Sequence, residues 1–340
     1  MTNTAIVFTA PGIAEIVNEP VMTPGDDQVL VRIAYSTISP GTERANLVGD
    51  PNVSIGSRAE DTAMFPRRLG YSSAGTVVAV GRDVKKIRVG DRVALSWTQH
   101  AKYYAVPETN VHKLEDGISF QEAALWHIST FPMAAIRKCR LEVGESAIVM
   151  GMGVLGQMAV KLLRCAGAAP VIAVDPVPAK RERALAIGAD YAFDPFAPDF
   201  AKQVKAVTEG GCRVGIEVTG NGGGLNGILD CMARFGRVAL LGCTRHSDFQ
   251  VDYYRKVHGP GITLIGAHTL ARPNGESAPG YWTTHDDVMA VQKLVRLGRL
   301  SFREMVEETH PVSDAPAVYA RLAREAAFPF VQFDWQDVPD

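Results

Sequence analysis

The sequence predicts an α/β protein of two domains, one rich in β-strands and one doubly wound around a parallel six-stranded sheet. Three observations predict it. The chain has 340 residues, beyond the usual length of a single domain. Six short apolar runs between residues 147 and 265 alternate with helical patterns, the signature of parallel strands joined by crossover helices. Between the first run and its helix stands Gly151-Met152-Gly153-Val154-Leu155-Gly156.

Taken in order, residues 5 to about 118 show apolar side chains at a two-residue period, as in Val29, Val31 and Ile33 or Val77 and Val80. Turn signals such as Pro24-Gly25 and Val89-Gly90-Asp91 separate them, so this half reads as mostly β. Ser119 with Glu122 three positions on matches a capping box, and Ala123, Ala124, Leu125 and Ile128 continue as a helix. The predicted strands of the second domain are 147–150, 171–174, 191–193, 215–218, 238–241 and 262–265. After Gly266 a loop through Arg272-Pro273-Asn274-Gly275 leads to a helix over 288–297 and a last strand near 328–333.

Composition narrows the function. Lys and Arg number 35 against 37 Asp and Glu, a net charge of −2 with no like-charge block, which argues against nucleic acid or an anionic membrane as partner. The five cysteines are scattered without a C-x-x-C pair, as expected of reduced thiols in the cytoplasm. No apolar stretch approaches 18 residues and the start shows no secretion signal, so the expectation is a soluble cytoplasmic protein.

The glycine turn carries the strongest chemistry. It follows an apolar strand and opens a helix with Leu155, Met158, Ala159, Leu162 and Leu163 at helical spacing. Glycines there permit a tight turn and a close approach of backbone to a pyrophosphate, while the helix N-terminus offers amides and the positive end of its dipole. Asp175 ends the next strand, where a carboxylate accepts from both ribose hydroxyls and repels a 2′-phosphate. The expected cofactor is therefore NAD rather than NADP, although Lys180, Arg181 and Arg183 pull the other way. The cofactor-binding candidates are Gly151, Gly153, Val154, Leu155, Gly156, Asp175, Lys180, Thr219, Leu241 and Gly242.

Gly41-Thr42-Glu43, Leu69-Gly70, Ala74-Gly75-Thr76, Val89-Gly90-Asp91, the glycine turn and Gly236 through Gly242 follow one another in a familiar order. The chain resembles the medium-chain dehydrogenase/reductase superfamily over nearly its whole length, in the branch of polyol and threonine dehydrogenases. The resemblance implies a GroES-like catalytic domain from residues 1–127 and 268–340, a Rossmann dinucleotide-binding domain from residues 128–267, a cleft where they meet, and a homodimer or homotetramer. Where zinc members of the superfamily carry ligands, this sequence reads Pro40, Tyr71-Ser72 and His127. The four cysteines of the structural zinc lobe are missing too, since none precedes Cys139. Proline offers a metal nothing and a neutral phenol little, so a zinc-independent member is expected.

Some group must then steady the oxygen during hydride transfer. By the resemblance Tyr71 and His127 converge on it, and Thr42 matches the hydroxyl that relays the proton, although the usual histidine three residues beyond is Ala45. Packing explains Tyr71 and His127 equally simply. Trp97, His100 and Trp282 are candidates for a small-molecule pocket. The function these residues suggest is NAD-dependent interconversion of a secondary alcohol, polyol or sugar-like, and a ketone. A reductase of enone or quinone C=C bonds and a dinucleotide sensor without turnover are the alternatives.

Overall fold

The computed structural model describes residues 2–53 and 64–339. It divides into two compact units, Met1–Ile128 with Val288–Asp340, and Ser129–Asp287.

The first unit opens with an antiparallel hairpin of β1 (Thr2–Ala10) and β2 (Ile13–Pro20). There follow β3 (Gln28–Thr37), helix α1 (Pro40–Val48), β4 (Ser72–Val80), β5 (Arg92–Ser96), β6 (Tyr103–Pro107), β7 (Val111–Lys113) and helix α2 (Phe120–Ala123), and the chain passes to the second unit within α3 (Trp126–Lys138), at Ser129. Strand β3 is the hub. It pairs with β4 and β6, and Val29, Val31 and Ile33 are fully buried, as their alternation predicts. Gly75 on β4 lies opposite Ile33, and a Cβ there would sit 2.1 Å from the Arg32 carbonyl oxygen, so only glycine allows the strands to approach.

The capping box is half realised. Ser119 Oγ accepts the Glu122 amide at 3.2 Å, as expected. The Glu122 carboxylate does not turn back to Ser119; it is buried and accepts from the Phe302 amide at 3.0 Å, the Arg303 amide at 2.8 Å and the Ser301 hydroxyl at 3.1 Å. Its local partner is exchanged for a segment about 180 residues away in the chain.

The second unit runs β8 (Ala147–Met150), α4 (Val154–Cys165), β9 (Val171–Val174), α5 (Pro178–Ala186), β10 (Tyr191–Phe193), α6 (Phe200–Val207), β11 (Cys212–Glu217), α7 (Gly222–Asp230), β12 (Met232–Leu240) and β13 (Thr263–Gly266), and the chain leaves it within α8 (Thr284–Arg296). The six strands are all parallel, in the order β10-β9-β8-β11-β12-β13. Three strands match the expected bounds residue for residue. Strands β11 and β12 begin earlier than their apolar runs because Cys212 pairs with Met232 before an irregularity in register.

The chain then returns to the first unit with β14 (Glu308–Pro311), α9 (Ala315–Arg324) and β15 (Val331–Asp334). β15 joins β3 antiparallel, with Gln332 opposite Thr37, and completes the sheet β14-β15-β3-β4-β5-β7. The return falls at residue 288, not at 268 as expected. Residues 268–287 stay with the second unit because Arg272 donates to the Thr130 carbonyl at 2.8 Å and the Arg137 guanidinium meets the buried Asp287 carboxylate at 2.7 Å. Among the described residues, no helix is long and apolar enough to cross a membrane.

Glu122→Ala would leave the buried Phe302 amide and its neighbours without acceptors. It should lower unfolding free energy by about 2–3 kcal/mol in a chemical denaturation experiment. A loss below about 0.5 kcal/mol would show that solvent replaces the carboxylate.

Candidate active site

Strand β8 is buried along its length and ends at Gly151, whose φ of +102° only glycine adopts without strain. Gly153 takes the N-cap position of α4 with no side chain to cap it, and a Cβ there would meet nothing within 4 Å. The amides at the start of α4 are thus left to an incoming anion, with room for it beside Gly153. Gly156 has the opposite reason to be glycine, since its Cβ would lie 1.8 Å from the Gly151 carbonyl oxygen. Val154 and Leu155 form the first turn between them.

Asp175, 6% exposed, accepts the Met152 amide on one carboxylate oxygen and the Val177 amide on the other, each at 2.9 Å. Each oxygen keeps a lone pair for a ribose hydroxyl. Of the nearby cations, Arg181 donates to the Asp175 and Pro176 carbonyls at 2.8 and 2.9 Å, and Arg183 to Gln157 at 3.0 Å. Lys180 is half-buried on α5. The strand order reverses between β8 and β11, the usual place for a ligand on an open parallel sheet. Thr219, Leu241 and Gly242 gather at the carboxyl ends of β11 and β12. The Thr219 amide donates to a Glu217 carboxylate oxygen at 2.7 Å, and the Leu241 and Gly242 amides to the Glu217 carbonyl at 2.9 and 2.8 Å.

Sequence reasoning misses Glu217. Burial pushes its carboxyl pKa up, while bonds from Thr219 and Gly220 pull the other way. The available signal is a charged residue ending the otherwise apolar run Val214–Ile216.

In the first unit, four residues from separate segments meet. Ser39 precedes α1, Tyr71 precedes β4, Trp97 follows β5 and His127 lies on the first turn of α3. The Tyr71 and His127 rings are 5.8 Å apart between centroids and nearly perpendicular at 83°. Trp97 lies 4.7 Å from His127 and 6.1 Å from Tyr71. The Trp97 backbone is in the left-handed region at φ +62°, costly for a bulky residue, and its amide donates to the Tyr71 carbonyl at 2.9 Å. His127 is 2% exposed and Trp97 38%, so the indole is partly open to solvent beside the buried imidazole. The Tyr71 hydroxyl donates to Ser39 Oγ.

A buried polar chain lies behind this cluster. Glu43, fully buried, accepts the Ser39 amide at 2.8 Å on one oxygen and the Tyr319 hydroxyl at 2.6 Å on the other, where His100 Nε2 also lies at 3.1 Å. Trp335 Nε1 donates to Ser36 Oγ at 2.8 Å, and His100 Nδ1 lies 2.8 Å from the same oxygen, so the imidazole bridges Ser36 and Glu43. Complete burial and contact with Glu43 push the Tyr319 phenol pKa well up. His100, expected to line the pocket, is therefore an interior group. Trp282, the other such candidate, lies in the second unit with the Arg137 guanidinium 3.6 Å above its ring. Thr42 is half-buried on the first turn of α1, and Ala45 is buried one turn on, where an alkyl group cannot pass a proton.

The donor set does not fit a catalytic zinc ion, which takes about three N, S or O ligands from the protein. Pro40 has no donor, Tyr71 is bonded to Ser39, and the Ser72 hydroxyl donates to the Ala124 carbonyl at 2.7 Å. Among the described residues, no three His, Cys, Asp or Glu side chains come together to hold a metal.

Residues 25–118 match the alcohol dehydrogenase GroES-like domain family and residues 154–278 the family described as zinc-binding dehydrogenase. L-threonine 3-dehydrogenase of Pyrococcus horikoshii is 30% identical over 293 residues, 77% of this chain and 82% of that protein. The chain belongs to the medium-chain dehydrogenase/reductase superfamily, and it is an oxidoreductase. D-guloside 3-dehydrogenase of Escherichia coli K12 is 25% identical over 335 residues, covering 92% of this chain and 94% of the relative. The crystal structure of benzyl alcohol dehydrogenase from Acinetobacter calcoaceticus superposes with a TM-score of 0.83 at 19% identity, over 98% of this chain and 99% of that one.

Any side chain at position 156 must push α4 off β8. Gly156→Ala should cost about 2 kcal/mol or more in thermal unfolding, whereas Gly153→Ala, with open space at its Cβ, should cost about 0.5 kcal/mol or less. Equal effects would contradict the different reasons assigned to these glycines.

Proposed function

We propose that this protein is a NAD-dependent oxidoreductase that interconverts a secondary alcohol and a ketone, with organic side chains in place of a zinc ion. The observation that carries the reading is the meeting of the Tyr71 phenol and the His127 imidazole, at positions that by the resemblance hold the metal in zinc members. The hydroxyl at position 3 of threonine is a secondary carbinol, which agrees with the names of the relatives.

The second unit binds and orients the dinucleotide, with the pyrophosphate at the amides of α4 and the adenosine ribose on Asp175. Bound nicotinamide supplies the hydride acceptor or donor. Asp175 favours NAD because its carboxylate, held by two amides, would face a 2′-phosphate at short range, and Arg181 is committed to backbone carbonyls. In the first unit Tyr71 donates a hydrogen bond to the substrate oxygen and moves the proton. His127 supports the same oxygen, and the Trp97 face covers the substrate from solvent.

Hydrogen-bond donors aimed at a developing oxyanion are worth about two to three powers of ten in turnover. Tyr71→Phe should therefore lower kcat at least about tenfold and leave dinucleotide affinity within about twofold. Asp175→Ala should weaken NAD and reduce the preference for NAD over NADP by about tenfold or more. Both are read by absorbance of the reduced nicotinamide against panels of secondary alcohols, polyols, ketones and enones. Turnover confined to enones with NADPH would overturn the reading, as would dinucleotide binding without turnover on any panel.

A further inference from the structure

Ser39 occupies the N-cap of α1, where a serine hydroxyl ordinarily accepts an amide of the first helical turn. It makes no such bond. Ser119, in the same position before α2, does make it. The two sites differ by one residue in spacing. Glu122 follows Ser119 by three positions, whereas Glu43 follows Ser39 by four and takes the Ser39 backbone amide on its carboxylate. Glu43 is itself held by Tyr319 and His100, so the Ser39 backbone rests on a fixed support. Its hydroxyl, released from capping and 6% exposed with the rest of the residue, meets the Tyr71 phenol instead. A cap worth about 1 kcal/mol is given up here, and the hydroxyl contacts the proposed proton donor instead.

We propose that Ser39 is the positioning residue for the Tyr71 proton: its hydroxyl accepts from the phenol in the resting site and donates to the phenolate once the phenol has protonated the substrate. This inference rests on the alcohol–ketone reading above. In ketone reduction, hydride from reduced nicotinamide forms the C–H bond and the carbonyl π pair moves to oxygen. The phenol O–H bond breaks, its proton forms the O–H bond of the alcohol, and Tyr71 is left as phenolate. Ser39 turns its own O–H toward that oxygen without losing it, and solvent returns the proton. Alcohol oxidation reverses each step. A hydroxyl bond to a phenolate is charge-assisted and about twice as strong as the neutral bond it replaces, so Ser39 favours ionisation of the phenol. Among the described residues, His127 on α3 faces the phenol, and Glu43 on α1 lies behind Ser39.

The test is a pH titration of tyrosinate absorbance in the full chain, with Tyr71→Phe subtracted so that the Tyr71 step stands alone. In Ser39→Ala that step should move up by about one pH unit, a roughly tenfold weaker acid, in the absence of substrate and cofactor. With substrate, kcat should fall about tenfold with KM within about twofold, and Ser39→Thr, which keeps the hydroxyl, should restore most of both. An unmoved titration step in folded Ser39→Ala overturns the proposal. Should that variant not fold, Ser39→Gly, well tolerated at an N-cap, is decided by the same titration. Turnover confined to enones, or none on any panel, would instead overturn the alcohol–ketone reading, and full alcohol turnover by Tyr71→Phe the role of Tyr71 as proton donor; both are distinct from a titration step that stays in place.

Discussion

One buried carboxylate organises the first unit. Glu43 has no exposed surface, and an ionised carboxylate in that setting persists only with several donors around it. The donors come from distant stretches of the chain: the Ser39 amide at the start of α1, His100 beyond β5, and Tyr319 on α9. Satisfying one buried carboxyl group therefore ties residues 39, 100 and 319 together. Trp335, just past β15, extends the chain of bonds through Ser36 to His100. The C-terminal segment must fold back onto the N-terminal one, so this unit is necessarily built from both ends of the sequence. The same requirement sets the Ser39 backbone, and through its hydroxyl the phenol of Tyr71.

The second unit answers to a different constraint, the closeness of α4 to β8. Gly156 lets the helix sit against the Gly151 carbonyl, Gly151 turns the chain with a positive φ, and Asp175 locks the turn by accepting the Met152 amide. Asp175 thus braces the turn, and in the proposed function the same carboxylate would also receive the ribose. Glu217, at the end of β11, is a brace of the same kind: it gathers the amides of Thr219 and Gly220 on its carboxylate and those of Leu241 and Gly242 on its carbonyl. Both acids end buried parallel strands, where polar groups can reach the ligand edge of the sheet without entering the apolar core.

Much of this is legible in the sequence where the signal is local. Buried parallel strands are continuous apolar runs, so 147–150 and 171–174 can be read with their ends intact, as can the edge strand 191–193 from its aromatic run. The glycine turn is legible because a positive φ at Gly151 and the close approach at Gly156 dictate glycine, and Asp175 because a carboxylate ending an apolar run stands out. Long-range pairings are not. His100 reads as a loop histidine until Glu43, 57 residues earlier, is seen beside it. Glu122 matches a capping box by spacing, yet its carboxylate serves residues 301–303. Residues 268–287 carry no compositional sign of which unit claims them, since Arg137, Arg272 and Asp287 find one another only in three dimensions. Tyr71 and His127 are joined by resemblance to relatives; periodicity alone places each on an apolar background.

The central claim is that a phenol and an imidazole, not a metal ion, steady the substrate oxygen. The most direct measurement is the transition-metal content of the freshly purified protein, taken together with its NAD-dependent alcohol turnover before and after exhaustive chelation. The expected result is far less than one metal ion per chain and turnover unchanged by the chelator. One tightly held ion per chain, whose removal abolishes turnover and whose return restores it, would contradict the claim.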